Sequence, residues 1–300
     1  MKIQGVPIVQ FLRELNTKVS DDTLFNGAAA LAFYLLLALF PALILVMSAI
    51  PYLPIPRVDE AIMDLLRQLL PAQAYGLVDE VITQVLENRR GGLLSFGALG
   101  TLWAASSGMY AIMQQLNVTY GVKEGRSFFR ARALAMGLSV LFGALMLLAF
   151  SLVVVGGFAQ EWLDRYVGFD ELVLAVFAAV RWTIVVLAVV LAFSLMYWLA
   201  PNLRGRRFRM LTVGGAVATG MLLVASVGLA LYVQNFAHYD KVYGSIGAVI
   251  ALMLWLYAAG LSLLVGSEVD VLLARHAAHR DPLRSRRQAV PAEQAGSEGL

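Results

Sequence analysis

The chain reads GAAALAFYLLLALFPALILVMSAI from Gly27 to Ile50, and this stretch carries no charged side chain. About 20 helical residues cover the hydrocarbon core of a bilayer, and the backbone amides in lipid must be satisfied within the segment, which favours a helix. The apolar run exceeds the roughly 7–15 residues of a secretory signal core. In addition, 26 largely amphipathic residues precede it. The stretch therefore predicts a transmembrane helix rather than a cleaved signal.

Five further stretches have the same character. Counted with the first, the predicted spans are residues 27–50, 93–116, 133–158, 174–200, 211–235 and 244–267. Arg181 is the only charged residue inside a span. The predicted fold is an all-α integral membrane protein. Its bundle of six transmembrane helices covers residues 26–273 and follows a cytoplasmic N-terminal segment, residues 1–25.

The composition supports this fold class. Hydrophobic residues make up 60% of the chain and charged residues 14%, too few polar groups to cover a soluble domain of this length. The absence of cysteine excludes disulfides, Cys-ligated zinc, iron–sulfur clusters and a thiol nucleophile. The net charge of +3 is small, so membrane lipids, not nucleic acid, are the predicted partners.

The distribution of basic residues predicts the orientation. Sixteen of the 23 Lys and Arg residues lie in the N-terminal segment, the second and fourth connections and the C-terminal segment. Acidic residues outnumber basic ones on the alternate side. The positive-inside rule then places both termini in the cytoplasm, which agrees with an even number of spans. We expect a multi-pass membrane protein.

The first connection is too long and too regular to be a simple linker. Its apolar residues recur at helical spacing on both sides of Pro71 and predict two amphipathic extracytoplasmic helices within residues 57–90. Their apolar faces have to cover something, and a cap, a moving lid or a surface for a partner all satisfy the pattern. Residues 274–300 have no apolar period and predict a disordered cytoplasmic tail.

Polar side chains within the spans are candidates for a substrate pathway, because lipid penalises them unless they pair or line a wet cavity. Ser106, Tyr110, Gln114 and Asn117 follow one another at spacings of four, four and three and share a helical face. The stripe fits a pathway for a polar headgroup or solute. It also fits side chains that join neighbouring helices through hydrogen bonds.

Two charged positions carry alternative hypotheses. Arg181 lies almost a full crossing before Pro201, so it either extends to the outer interface or binds an anion such as a phosphate headgroup. Glu268 and Asp270 end the last span, where we expect an interfacial position or pairing with Arg275 rather than proton coupling.

Four other residues complete the predicted set. Tyr34, Asn235 and Tyr243 join the substrate-pathway candidates, which also include Arg181 and Glu268. Pro41 predicts a bend in the first span, because proline removes a helical hydrogen bond. Such a bend is either a hinge or only a feature of shape.

Enzyme motifs are missing from the sequence. The three histidines, His238, His276 and His279, form no metal-binding pattern, and neither a phosphate loop nor a dinucleotide fingerprint occurs. We therefore predict no catalytic residue, no metal, no cofactor and no enzyme activity. The oligomeric state is not predicted.

Several motifs together resemble the YihY/BrkB family of bacterial inner-membrane proteins, once labelled ribonuclease BN. They are Asn26–Tyr34 with Leu39-Phe40-Pro41, Trp103 with Ser106, Gln114–Tyr120, Tyr197–Pro201, Tyr243–Gly247, Trp255-Leu256-Tyr257 and Gly266-Ser267-Glu268. The sequence departs from the usual Gly-Ala-Glu, followed by Asn or a hydroxyl residue, at Ser267 and Asp270. The resemblance therefore assigns no role to Asp270.

The resemblance implies a six-helix membrane protein whose relatives are associated with serum resistance and envelope lipid phenotypes. It favours transport or translocation of a lipid or other amphipathic envelope substrate. A non-transporting scaffold or envelope assembly factor is the alternative. Ribonuclease activity is not expected, because the sequence has no histidine–aspartate cluster able to hold two metals.

Overall fold

The N-terminus begins with a small hairpin that leads into a helix. The computed structural model describes residues 2–3, 6–49, 91–167, 171–203, 210–235 and 240–280. Strand β1 (Lys2–Ile3) pairs antiparallel with β2 (Val6–Pro7), and Lys2 lies opposite Pro7. Helix α1 (Ile8–Asp21) follows directly. It belongs to the amphipathic segment before the first predicted span.

Six long helices make up the rest of the described chain. They are α2 (Leu24–Ala49), α3 (Gly91–Thr119), α4 (Phe128–Val167), α5 (Glu171–Leu199), α6 (Val213–Asn235) and α7 (Asp240–Arg280). Each predicted span overlaps one of these helices, in the predicted order.

The lengths of these helices confirm a helical membrane protein. Over the described residues, four helices, α4 to α7, are long and apolar enough to cross a bilayer. A fifth span counts if α1 and the first part of α2, which meet at 58°, form one bent crossing. The total of six crossings stays a prediction.

Two predicted segments need comment. The predicted amphipathic helices of residues 57–90 lie outside the described residues, as do residues 281–300. Helix α7 continues to Arg280, so the predicted tail begins too early: residues 274–280 are helical. The added turns contain helix-forming Ala and Arg residues, and His276 Nε2 lies 2.8 Å from Glu14 Oε2 of α1.

Helices α2 to α7 form a closed ring, because each helix contacts the next one along the chain and the last helix contacts the first. Helix α2 contacts α3 and α7, and the contacts continue from α3 through α4, α5 and α6 to α7. Helix α3 also touches α7, and α1 lies against α7 and α2. The first and last long helices are therefore direct neighbours.

The buried core occupies one end of this ring, which we call the packed half. It collects the first turns of α2, α4 and α6 and the last turns of α3, α5 and α7, at residues 24–32, 106–119, 131–138, 190–201, 214–219 and 256–273. We call the other end, residues 33–39, 100–105, 139–160, 172–189, 220–232 and 247–255, the loose half. None of its side chains that the structure describes is buried. The predicted orientation puts the packed half on the cytoplasmic side.

Glycines account for part of this difference. A Cβ added to Gly266 would lie 2.6 Å from Tyr197 Oη, and one added to Gly260 would lie 3.3 Å from the Ala28 carbonyl oxygen. By contrast, four glycines of the loose half have no neighbouring atom within 4 Å of an added Cβ: Gly100, Gly143, Gly220 and Gly228. Helices in lipid associate through close van der Waals contact, so small residues at crossings determine where they meet.

Candidate functional site

The side chain of Arg181 crosses from α5 to α4 in the loose half. It lies about 15 Å along α5 from Glu171, at 1.5 Å per residue. A Cβ added to Gly156 would be 2.6 Å from Arg181 Cδ, and one added to Gly157 would be 3.5 Å from Arg181 Nη1. Any larger residue at position 156 would displace the arginine. The Gly156-Gly157 pair therefore forms the surface on which this side chain lies.

The guanidinium has unused hydrogen-bonding capacity. Arg181 Nε and Nη1 are buried, and neither has a hydrogen-bond partner among the described residues. The guanidinium carbon lies 5.7 Å from the ring centroid of Trp182, within cation–π range. A planar guanidinium matches the paired oxygens of a phosphate or carboxylate. The two unused donors of Arg181 therefore match the hydrogen-bonding chemistry of an anion.

The surroundings of Arg181 are apolar and accessible. Large hydrophobic side chains on both helices are exposed near it: Val155 and Phe158 on α4, and Val180, Trp182 and Ile184 on α5. In a bilayer these side chains contact acyl chains. The site accordingly joins a cationic donor group to an apolar surface.

The predicted polar stripe of α3 does not converge on one cavity. Ser106 is fully buried and donates to the Trp103 carbonyl oxygen at 2.8 Å. Tyr110 is half-buried, whereas Gln114 is exposed. Successive steps of four residues advance by about 40° around a helix, which turns the stripe from the core to the surface.

Asn117, the last member of the stripe, joins two connections of the packed half. Its Nδ2 donates to Glu124 Oε2 at 3.0 Å, and its Oδ1 accepts from the Asn202 backbone N–H at 2.7 Å. The connection after α3 is thereby tied to the chain after α5. These contacts give Asn117 a clear structural role.

The remaining pathway candidates lie on α2, α6 and α7. Tyr34 is 39% exposed on α2, and its ring centroid lies 5.6 Å from that of Phe33. The side chains of Pro41, Asn235 and Tyr243 lie outside the described ones. Helix α2 runs across position 41, and the bend at Pro41 stays a prediction.

Glu268 and Asp270 are buried between helices at the end of the last predicted span. Glu268 has no exposed area and Asp270 is 7% exposed, because α1 and α6 cover this end of α7. Asp270 Oδ1 accepts the Gly214 backbone N–H at 2.8 Å, in the first turn of α6. A carboxylate at a helix N-terminus satisfies an otherwise unpaired donor and opposes the positive end of the helix dipole. Asp270 therefore has the capping role that the resemblance did not assign.

Two structural contacts were not predicted from the sequence. Tyr197 is buried and donates its hydroxyl to the Leu263 carbonyl oxygen at 2.7 Å, directly beside Gly266. Arg126 donates to the carbonyl oxygens of Ala200 and Pro201, which closes the end of α5. The only signal for Tyr197 was its place in a family motif, since one sequence does not show which helices cross.

Comparison with known proteins identifies the family. The family model described as virulence factor BrkB matches residues 15–290. The chain belongs to the BrkB family. The resemblance found in the sequence motifs is thus confirmed, and the chain is a membrane protein of this family.

Relatives of the BrkB family cover most of the chain. The ribonuclease-like protein YfkH of Bacillus subtilis (strain 168) is 37% identical over 265 residues, 88% of this chain and 95% of YfkH. A UPF0761 membrane protein of Alkalilimnicola ehrlichii is 29% identical over 93% of this chain and 62% of its own length. A UPF0761 membrane protein of Cronobacter sakazakii is 24% identical over 95% of both chains. No solved structure matches the chain.

Proposed function

We propose that this BrkB-family protein moves a lipid or another amphipathic envelope substrate with an acidic headgroup across the bacterial inner membrane. In this proposal Arg181 binds the acidic group, and the apolar side chains of the loose half contact the substrate's hydrocarbon part. Both termini lie in the cytoplasm, so the loose half faces outward.

The buried, unpartnered donors of Arg181 carry the proposal. Placing an arginine within a bilayer costs several kcal/mol, and leaving its N–H groups unsatisfied adds about 1–3 kcal/mol. An anion that accepts from Nε and Nη1 offsets this cost. The contact with Gly156-Gly157 holds the guanidinium at depth instead of letting it extend freely to the surface.

The apolar setting favours an amphipathic substrate over a small soluble anion. Trp182 follows Arg181 directly and is 52% exposed. Phe158 follows the Gly156-Gly157 contact on α4 and is 60% exposed. A soluble anion would gain nothing from these side chains, whereas an acyl chain would pack on them. The loosely packed helix halves leave room for a lateral approach from the bilayer.

YfkH is named a ribonuclease-like protein, but its name carries no such activity to the present chain. The sequence of the present chain has three histidines and no histidine–aspartate cluster able to hold two metal ions. A non-transporting scaffold is the alternative function. That alternative depends on residues 57–90, which lie outside the described residues, so no contact in the structure favours it.

Transport is tested in liposomes that contain the purified protein. Movement of fluorescent phospholipids between leaflets is followed for acidic and zwitterionic headgroups, with and without an imposed proton gradient. We expect protein-dependent movement of an acidic lipid and a loss of about tenfold or more in Arg181→Gln, since a charge-assisted hydrogen bond contributes about 1.5–3 kcal/mol.

A matched glycine pair on α4 controls for general damage. Gly156→Ala places a Cβ against Arg181 Cδ and should slow transport, whereas Gly143→Ala has no neighbour within 4 Å and should not. All variants are compared at equal incorporation and equal thermal stability. Identical rates in empty and protein-containing vesicles, for every headgroup and gradient, would contradict the proposal.

A further inference from the structure

A buried carboxyl group lies in the packed half without any donor for its oxygens. Glu268 has no exposed area, and neither Oε1 nor Oε2 has a hydrogen-bond partner among the described residues. Burying an ionised carboxylate is strongly unfavourable unless charges and donors compensate it. The neighbours of Glu268 therefore determine whether its carboxyl group is ionised or protonated in the folded protein.

A second carboxyl, Asp22, lies next to Glu268: a Cβ added to Gly27 of α2 would lie 3.1 Å from Leu264 Cδ1 of α7, and Asp22 and Glu268 each lie about one turn beyond these two residues. Asp22 occupies the two-residue bend between α1 and α2, and its side chain is 16% exposed. Thr23 in the same bend has a φ of 49°, in the left-handed region, so the turn is tightly constrained. The bend thus holds Asp22 beside Glu268. We call these two residues the carboxyl pair.

Two ionised carboxylates cannot satisfy each other, because each can only accept hydrogen bonds. Asp22 Oδ2 is also buried without a hydrogen-bond donor, as are both oxygens of Glu268. One proton on the pair removes this conflict, since the protonated group donates to the other. The pair then carries one negative charge instead of two.

Other charged groups lie near the pair on α1 and α7. Lys18 Nζ of α1 lies 3.6 Å from Asp22 Oδ2. The positive charge of Arg275, on α7, attracts the Glu268 carboxylate. These two cations lower the cost of negative charge on the pair, but neither donates a hydrogen bond to the Glu268 oxygens. Asp270 Oδ1 accepts the Gly214 N–H of α6, and Glu14 of α1 contacts His276 about two turns away from the pair.

We propose that Glu268 and Asp22 share one proton and form a proton-binding site that holds the bend between α1 and α2 against α7. A metal ion is a less suitable ligand, because the described residues contain no group of three or more His, Cys, Asp or Glu side chains that could hold one. The site differs from Arg181 in position and chemistry, so this inference does not depend on transport.

Proton binding has a mechanical consequence at α1. This helix contacts α7 through an apolar cluster of Phe11, Leu15, Val269, Leu272 and Leu273. Loss of the shared proton would put two negative charges at the bend and repel Asp22 from Glu268. Helix α1 should then separate from α7 at the end nearest α2, on the predicted cytoplasmic side.

Infrared spectroscopy tests the shared proton directly in the purified, reconstituted protein. At neutral pH we expect the carbonyl stretch of a protonated carboxylic acid, sensitive to deuterium exchange and lost on raising the pH. Glu268→Gln should remove the band. Asp22→Asn should remove it as well, because the asparagine amide can donate to an ionised Glu268. Asp21→Asn, at the exposed neighbouring carboxyl, should leave it unchanged.

Spin labels test the movement of α1, and the absence of cysteine makes this simple. Labels at exposed Leu12→Cys and Ala274→Cys report the distance between α1 and α7. The distribution should widen with rising pH in the otherwise unchanged chain and stay narrow in Glu268→Gln. His276→Gln controls for the Glu14–His276 contact and should still widen.

Several results would overturn the inference. Absence of the protonated-acid band at neutral pH excludes a shared proton, and a band that survives both Glu268→Gln and Asp22→Asn places the proton elsewhere. A band that disappears on adding sodium or potassium at constant pH assigns the site to a metal cation. If Glu268→Gln does not fold, the band in the unchanged chain and in Asp22→Asn still decides the question.

Discussion

Replacing Gly266 with alanine tests the packing of α7 against α5 and α6. A Cβ at this position would lie 2.5 Å from the Gly214 carbonyl oxygen, 2.6 Å from Tyr197 Oη and 2.7 Å from Ala218 Cβ. Carbon atoms in good contact are separated by about 3.5 Å or more. Helix α7 must therefore move by roughly 0.8 Å or more relative to both neighbours.

The cost of this movement has two parts. Overpacking of a close contact costs about 1–3 kcal/mol. The displacement also weakens the buried hydrogen bond from Tyr197 to the Leu263 carbonyl oxygen, now 2.7 Å long, at about 1–3 kcal/mol. We expect Gly266→Ala to lower the free energy of unfolding by about 2–5 kcal/mol.

Thermal unfolding in detergent, followed by tryptophan fluorescence and by size-exclusion chromatography, measures this loss. Gly220→Ala is the matched control, because the added Cβ has no neighbour within 4 Å, and its effect should stay near 0.5 kcal/mol or less. Tyr197→Phe combined with Gly266→Ala should cost less than the sum of the two single changes, since it removes one of the colliding atoms. Equal stability of Gly266→Ala and Gly220→Ala would refute this account of the packing.

Three further predictions concern the same end of the molecule. Asp270→Ala should destabilise the protein by about 1–3 kcal/mol in thermal unfolding, because the Gly214 N–H loses its acceptor; Asp270→Asn keeps an acceptor and should cost less, so equal losses would count against the capping role. Phe11→Ala removes a side chain that is 5% exposed and should cost about 3 kcal/mol and speed proteolysis of α1; an unchanged cleavage rate would mean that this contact does not hold the helix. A reporter fused after Leu300 should be active only in the cytoplasm, and activity outside would reject the combination of a cytoplasmic N-terminus with an even number of spans.

The number and order of the long helices follow from local sequence. Runs such as 27–50 and 244–267 are apolar over a length that only a helix can satisfy in lipid, so neighbouring helices need not be known. The ends of the helices are harder to predict, because they also depend on contacts with other helices. The continuation of α7 to Arg280 depends partly on contact with α1, which no hydropathy pattern in the last span encodes.

The polar candidates show that the burial and contacts of a side chain cannot be predicted from its own helix alone. Ser106 and Gln114 share a helical face in sequence, yet one is buried and the other exposed, because the ring contacts only part of that face. The exposure of Gln114 could be known only once the neighbours of α3 were known. Arg181 was identified as an isolated charge, whereas its contact with Gly156-Gly157 required the pairing of α4 with α5.

The sequence by itself determined that this protein lies in a lipid bilayer, that its fold is predominantly helical and that it carries its family's motifs. These features depend on composition and on properties local to each segment. The apolar stretch from Gly27 to Ala49 is helical because lipid offers its backbone amides no partner outside the segment. The tertiary structure alone decided that one half of the ring is packed, that Asp270 caps α6, and that Asp22 meets Glu268. Each of these features joins residues that are distant along the chain, and their burial depends on which helices are neighbours.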